Sequence, residues 1–172
     1  MRIQDLLGAL ALGAVTTGLL FIATTHSADG AEFMVGPVRV VDGDTVYMGK
    51  ERIRLQGIDT PERGQRCLDG KGVSYRCGRA ATLALRGMVG DNYVMCVTEG
   101  RGKYGRALGT CYTMDGVDLN GWLVRHGYAL AYRKYNLRYT AEEAAAWRED
   151  LGMHAGRYVA PWDWRKGERL EP

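Results

Sequence analysis

The chain has 172 residues, of which 46% are hydrophobic and 25% are charged. This composition is ordinary for a soluble globular protein and sets aside the disordered and fibrous classes. The length allows one well-packed domain with a short appendage. The net charge of +3 is compatible with a nucleic-acid partner but is too small to indicate one.

The first thirty residues differ from the rest of the chain. Residues 6–25 contain no charged side chain, and Arg2 is the only basic residue before them. This pattern predicts a signal peptide or an uncleaved membrane anchor, with a connection, over residues 1–31. A buried helix is disfavoured because the run has no polar face. Either interpretation places the domain outside the cytoplasm, as a secreted, periplasmic or membrane-anchored protein.

Residues 40–62 predict a hairpin followed by an acidic turn. Asp42-Gly43 is a turn signal, and residues 48–50 are expected to join two strands. In the second strand polar and apolar residues alternate, so that Arg52 and Arg54 share one face. The stretch brings its charged groups to one sheet edge: Asp42, Asp44, Arg54, Asp59 and Glu62. Carboxylates grouped in this way repel one another unless a cation binds between them.

The later elements alternate between helices and strands. The patterns predict helices at 79–89, 117–126 and 140–151, strands at 92–98 and 106–114, and an extended stretch at 128–135. Thr140 and Glu143 form a capping-box pattern at the start of the third helix. Trp162 and Trp164 are expected to hold a C-terminal segment, 158–172, against a domain at 36–157. Five short antiparallel strands with an inserted helix suggest an OB-fold barrel of the α+β class, mainly β, and a larger α+β sheet is the alternative.

The four cysteines lie at positions 67, 77, 96 and 111. An even number in a chain with an export signal favours disulfides, and three pairings are possible. Cys67 and Cys77 bracket a glycine-rich loop, whereas Cys96 and Cys111 lie on two apolar runs joined by a charged loop. Zinc binding is disfavoured because the chain has no closely spaced Cys or His pair. Buried free thiols remain the alternative.

Four motifs occur in one order and spacing that resembles the staphylococcal nuclease (thermonuclease) family. They read VVDGDTV from residue 40, RLQGIDTPE from 54, KYGRALG from 103 and DLNGWLVRHGYA from 118. The resemblance covers residues 38–156. It implies an OB-fold barrel with three helices that cleaves DNA and RNA phosphodiesters and leaves 3′-phosphates.

The resemblance also implies roles for individual residues. Asp44, Asp59 and the main-chain carbonyl of Thr60 would bind a calcium ion, Ca2+, with Asp42 behind them. Glu62 would orient or deprotonate the attacking water, and Arg54 and Arg106 would hold the phosphate. The expected substrate contacts are Lys103, Tyr104 and Tyr132.

These residue types suit hydrolysis of a phosphodiester. The ester is an anion and gathers further charge in its transition state, which a divalent cation bound by oxygen ligands neutralises. The planar fork of arginine donates two parallel hydrogen bonds to phosphate. Further basic residues interleaved with tyrosines are expected to follow a nucleic-acid backbone while bases stack: Arg101, Arg133, Lys134, Arg138, Tyr135 and Tyr139.

The preferred interpretation is a calcium-dependent nuclease that acts on DNA and RNA as a monomer, and two other functions compete with it. One is a non-catalytic OB-fold module that binds nucleic acid or protein, and the other is a disulfide-stapled structural domain of the cell envelope. The presence of Asp44, Asp59 and Glu62 together with Arg54 and Arg106 disfavours both, because neither function needs that polar set.

Overall fold

The computed structural model describes residues 23–26, 31–134 and 136–171, with residues 23–26 and Lys103 described by their backbone alone. Most of the predicted signal peptide or anchor therefore lies outside the described residues, as does Tyr135. Within the described ranges, no helix has both the length and the apolar character needed to cross a bilayer.

The strands and helices of the described residues follow in chain order. The strands are β1 (Ala23–His26), β2 (Ala31–Val40), β3 (Thr45–Met48), β4 (Glu51–Leu55), β5 (Ile58–Asp59), β6 (Cys67–Leu68), β7 (Ser74–Tyr75), β8 (Tyr93–Arg101), β9 (Ala107–Thr113) and β10 (Leu130–Ala131). The α-helices are α1 (Cys77–Val89), α2 (Leu119–Arg125), α3 (Thr140–Arg148) and α4 (Pro161–Trp164). Short 3-10 helices lie at Lys103–Gly105 and Gly152–Ala155.

Five strands close into a barrel in the order β2, β3, β4, β9 and β8, with β8 pairing back to β2. The predicted OB-fold barrel is therefore confirmed. One detail of the expectation is wrong, because β4 and β9 run parallel, with Ile53 opposite Ala107. The other barrel pairs are antiparallel. This parallel pair places the end of β4 beside the start of β9.

The alternating pattern of β4 divides its side chains as the sequence predicts. Ile53 and Leu55 are buried in the core, whereas Arg52 is exposed and Arg54 is half-buried on the other face. Helices α1 and α2 contribute Leu85 and Leu123 to the same core. Each such side chain stabilises the fold by roughly 1.5–3 kcal/mol.

Helix α2 is fixed to the barrel by two polar residues of the DLNGW motif. The Asp118 carboxylate accepts a hydrogen bond from the backbone N–H of Gly121 and caps the helix. Asn120 is completely buried. Its amide nitrogen donates to the carbonyls of Gln56 and Gly109, and its amide oxygen accepts from the backbone N–H of Cys111 at 3.2 Å. This side chain thus satisfies backbone groups at the end of β4 and on β9.

Several expected boundaries are wrong. Strand β2 begins at Ala31, before residue 36, where the sequence placed the start of the domain. Helix α1 begins two residues early, at Cys77. In the described part of the extended stretch, 128–134, only Leu130 and Ala131 form a strand, which pairs with β5.

The capping box predicted for α3 is absent. The Glu143 carboxylate instead accepts from the backbone N–H of Ala131 and pairs with Arg133, and the Thr140 hydroxyl donates to the carbonyl of Leu137. The Glu143 carboxylate therefore binds residues outside α3 instead of the backbone at the start of that helix, which the local pattern predicted.

The expected disulfides are present, in one of the three pairings that the sequence left open, and no free cysteine is present among the described residues. Cys67 bonds Cys77 and Cys96 bonds Cys111. The second pair joins directly opposite residues of β8 and β9. The first pair closes the small β6–β7 loop onto the start of α1. Such bonds are typical of oxidising compartments.

We expect the double variant Cys67→Ser with Cys77→Ser to lose about 2–4 kcal/mol of unfolding free energy, because an open loop gains entropy in the unfolded chain. Urea unfolding followed by tryptophan fluorescence measures this loss. Val73→Ala, an exposed change inside the same loop, is the control and should be nearly neutral. Thiol titration of the native protein should find no free thiol, and reactive thiols before reduction would contradict the pairing.

Candidate active site

A cavity of about 1090 Å³ opens where β4, the acidic turn and the start of β9 meet. It collects most of the residues to which the resemblance gives a role. The residues with an implied role that line this cavity include Asp44, Arg54, Thr60, Glu62, Tyr104, Arg106 and Tyr132. Asp59 lies beneath, fully buried. The backbone of Lys103 stands beside Tyr104 in the 3-10 turn.

Arg54 joins two buried carboxylates at the centre of the site. Its Nη1 and Nη2 donate to Asp44 Oδ1 and Asp59 Oδ1, each at 2.9 Å. Strand alternation points Arg54 away from the core, and the chain reversal after Gly57 returns Asp59 to the same face. Arg54 and Asp59 are five residues apart, so this contact follows from local structure.

The positive charge near the Asp44 carboxyl group does not fully offset the effect of its burial. Burial, against the opposing effect of Arg54 and with the nearby carboxylates of Asp42 and Asp59, raises the pKa of Asp44 to about 6. Removing water from a carboxylate penalises its charged form. A bound cation would relieve this penalty.

Arg165, from the residue after α4, is a site residue that the sequence analysis missed. Its Nη2 lies 2.5 Å from Asp59 Oδ2, and its Nη1 lies 2.8 Å from Glu62 Oε1. Burial lowers the pKa of Arg165, but the hydrogen bonds to Asp59 and Glu62 outweigh burial and leave that pKa above its ordinary value. The guanidinium therefore stays charged and links the two carboxylates.

The loop that carries Glu62 is held from three sides. The backbone N–H of Glu62 donates to Gln65 Oε1 at 3.1 Å, and the buried Gln65 amide donates to the carbonyl of Val159 at 2.6 Å. Gly78, at the start of α1, lies so close that a Cβ there would stand 1.9 Å from the Glu62 carbonyl oxygen. The Cys67–Cys77 bond then anchors this helix start to the loop. Glu62 is thus placed by α1 and by the C-terminal segment together.

Arg106 approaches the cavity from the other side, at the start of β9. Its Nε is buried and has no hydrogen-bond partner among the described residues. A buried donor without a partner costs free energy of roughly 1–3 kcal/mol. An anion in the cavity would satisfy it.

Several basic and aromatic residues that the sequence assigned to substrate contact have other roles. Arg138 donates to Tyr112 and Asp118, and Tyr139 is buried with its hydroxyl 2.9 Å from Asp118. These two residues support α2. The predicted substrate contact is wrong for the buried Tyr139, whereas for the half-exposed Arg138 it stays a prediction. Arg101 pairs with Glu51 at the cavity edge.

The oxygen atoms of Asp44, Asp59 and Thr60 are the hard donors that calcium or magnesium prefers. In the described part of the chain, no group of three or more His, Cys, Asp or Glu side chains has the arrangement of a metal site. A cation here would therefore depend on two carboxylates and on backbone, water or substrate oxygens.

Known proteins share much of this sequence. The family model described as "Staphylococcal nuclease homologue" matches residues 52–153. The chain is 42% identical over 120 residues to the Succinoglycan biosynthesis protein ExoI of Rhizobium meliloti (strain 1021), covering 69% of this chain and 61% of that protein. It is 36% identical over 136 residues to an "Uncharacterized endonuclease" of Escherichia coli O157:H7, covering 74% and 82%. A "Micrococcal nuclease" of Shigella flexneri is 29% identical over 92% of this chain and 94% of its own length.

The fold and the site therefore define a barrel with an acidic and arginine-rich cleft, and the chain belongs to the family of staphylococcal nuclease homologues. The expected membership in that family is confirmed. The family match ends at residue 153, so Arg165 and α4 lie beyond it.

We expect Gly78→Ala to displace the Glu62 loop, because the new methyl group would overlap the Glu62 carbonyl. Overpacking of this kind typically costs about 1–3 kcal/mol, which urea unfolding measures. Gly87→Ala is the matched control on the same helix, since a Cβ at Gly87 meets no atom within 4 Å. It should be neutral or stabilising by up to about 1 kcal/mol. Equal stability of the two variants would contradict the described packing.

Proposed function

We propose that this protein is an exported, calcium-dependent nuclease that hydrolyses phosphodiester bonds of DNA and RNA without sequence specificity and leaves 3′-phosphates. Membership in the staphylococcal nuclease family and the relatives named as nucleases support hydrolysis of nucleic acid. The observation that carries the proposal is the arrangement around one cavity of two buried carboxylates, Glu62 and the unpartnered donor of Arg106.

The phosphate of the substrate would lie between Arg54 and Arg106. The two arginines enter from β4 and from the residue before β9, and both line the cavity. Arg54 is held in place because it already binds two carboxylates. The buried Nε of Arg106 has no hydrogen-bond acceptor among the described residues, and the phosphate would supply one. Donors aimed at developing negative charge each contribute a factor of about 10² to 10³ in rate.

Glu62 would accept the proton of the attacking water. The water oxygen forms a bond to phosphorus, and the bond from phosphorus to the 5′ oxygen breaks. That oxygen takes a proton from solvent, which leaves a 3′-phosphate and a 5′-hydroxyl. Arg165 keeps Glu62 from turning into solvent, because its Nη1 holds Oε1. A base must stay within hydrogen-bond reach of the proton it takes.

Asp44 and Asp59 would hold the calcium ion with Thr60. A divalent cation supplies Lewis-acid stabilisation of phosphate charge when it is bound. The oxygen donors and the charge deficit at Asp44 suit such a cation, but both oxygens of Asp59 already accept from arginines. The cation would therefore share Asp59 with Arg54 and Arg165.

Export is supported by the charge-free run near the N-terminus and by the two disulfides. A non-catalytic binding module is the alternative function. A binding module would not need Glu62 to be held in place by Gln65, Gly78 and Arg165.

We expect the purified protein to digest single-stranded DNA and RNA with calcium and to stop when a chelator is added. Glu62→Gln should lower the turnover number by about 10² to 10⁴, because the amide cannot accept the proton. Product analysis on a labelled oligonucleotide measures both rate and end group. Glu149→Gln, an exposed change outside this cavity, is the matched control. Undiminished turnover in Glu62→Gln would refute the assigned role.

We expect Arg165→Gln to lower the turnover number by roughly tenfold with little change in KM, because Glu62 loses the partner that orients it. Arg165→Lys should recover part of the loss. Arg169→Gln, in the same segment but stacked on Trp164, should leave the rate unchanged. A faster Arg165→Gln variant would instead show that Arg165 competes with the metal for Asp59.

A further inference from the structure

A second cavity, of about 890 Å³, lies next to the candidate active site. Helix α3 and the C-terminal segment form its walls, and we call it the α3 cavity. Tyr132 lines both cavities. A strand that leaves the first cavity past Tyr132 would therefore enter the second.

Aromatic rings supply much of the α3 cavity wall. Tyr132 and Trp162 are stacked, with ring centroids 5.6 Å apart and planes inclined by 20°. Trp147, from α3, also lines the cavity and exposes 67% of its surface. A flat aromatic ligand would cover it.

The rim of the α3 cavity is positively charged. Arg133, Lys134, Arg148 and Lys166 line it, against a single carboxylate, Glu143. Arg133 pairs with Glu143, and Lys166 pairs with Asp163. Lys134 and Arg148 make no ion pair with any residue that the structure describes. The rim therefore keeps positive charge for an anionic ligand.

One polar group in the wall also lacks a partner. His154 is buried, with 8% of its surface exposed, and its Nδ1 lies 3.2 Å from the Tyr158 hydroxyl. Its Nε2 has no hydrogen-bond partner among the described residues. Burial lowers the pKa of His154, partly offset by Glu143. The lowered pKa favours the neutral ring, whose Nε2 can make one further hydrogen bond to a polar ligand edge.

We propose that the α3 cavity binds an unpaired nucleobase of the same strand whose phosphate occupies the candidate active site. The ligand combines a flat aromatic ring with an anionic backbone, which matches the aromatic wall and the basic rim. The ring of a base inside a duplex is already stacked on both faces, so only a single-stranded base enters without prior unstacking. This inference rests on the proposed function, since it takes the first cavity as the phosphate site.

The binding test uses the whole protein with Glu62→Gln, so that the strand is not cut. Fluorescence anisotropy with a labelled single-stranded oligonucleotide measures the dissociation constant. We expect Trp147→Ala to weaken binding about 5- to 150-fold, which corresponds to the loss of one stacked base. Trp147 is exposed, so the variant should fold. Tyr93→Ala, at an exposed aromatic residue of β8 outside both cavities, is the matched control and should bind normally.

The basic rim has its own test. Replacing both Lys134 and Arg148 with alanine should flatten the dependence of log affinity on log salt by about 0.7 for each phosphate that the protein no longer neutralises. Arg79→Ala, an exposed change on α1, should leave that slope unchanged. An unchanged slope in the double variant would overturn the assigned path of the backbone.

Short and double-stranded substrates separate this inference from the proposed function. Cleavage of a dinucleotide with Glu62 intact should be unaffected by Trp147→Ala, because so short a substrate fills only the first cavity. Binding of a duplex should be equally insensitive. Normal oligonucleotide binding by Trp147→Ala overturns the inference even if the protein is a nuclease. Failure of all cleavage with Trp147-dependent binding intact would instead refute the nuclease and keep the base site.

Discussion

The buried carboxylate of Asp59 is the constraint on which the site depends. It has no exposed surface, and a buried charge is tolerated only when it is paired. Arg54 meets one of its oxygens from the barrel, and Arg165 meets the other from the C-terminal segment. One side chain thus joins two parts of the chain that are 106 residues apart. The C-terminal segment is consequently part of the site rather than an appendage.

Helix α4 and the residue that follows it contribute to both cavities. Trp162 faces the α3 cavity and stacks on Tyr132, while Arg165, immediately after the helix, binds the carboxylates of the first cavity. Pro161 at the first helical position sets the direction of this short helix. A movement of α4 would therefore change the orientation of Glu62 and the shape of the neighbouring cavity together.

Local patterns predicted the barrel and the centre of the site. Alternation in β4 placed Arg54 opposite the core, and the short chain reversal brought Asp59 to it. Arg165 was not predictable in this way, because neither periodicity nor spacing relates it to Asp59. Tyr139 illustrates the reverse error: its neighbours are basic, which suggested substrate contact, yet its side chain is buried and its hydroxyl binds Asp118. Composition around a residue does not show which way its side chain faces.

The most direct test of the proposed site is a crystal structure of the protein with calcium and a non-hydrolysable dinucleotide. We expect the phosphorus between the guanidiniums of Arg54 and Arg106, the cation against Asp44 and Asp59, and Glu62 still held by Arg165. A phosphate bound elsewhere on the surface, with Arg106 turned away from it, would contradict the proposed arrangement.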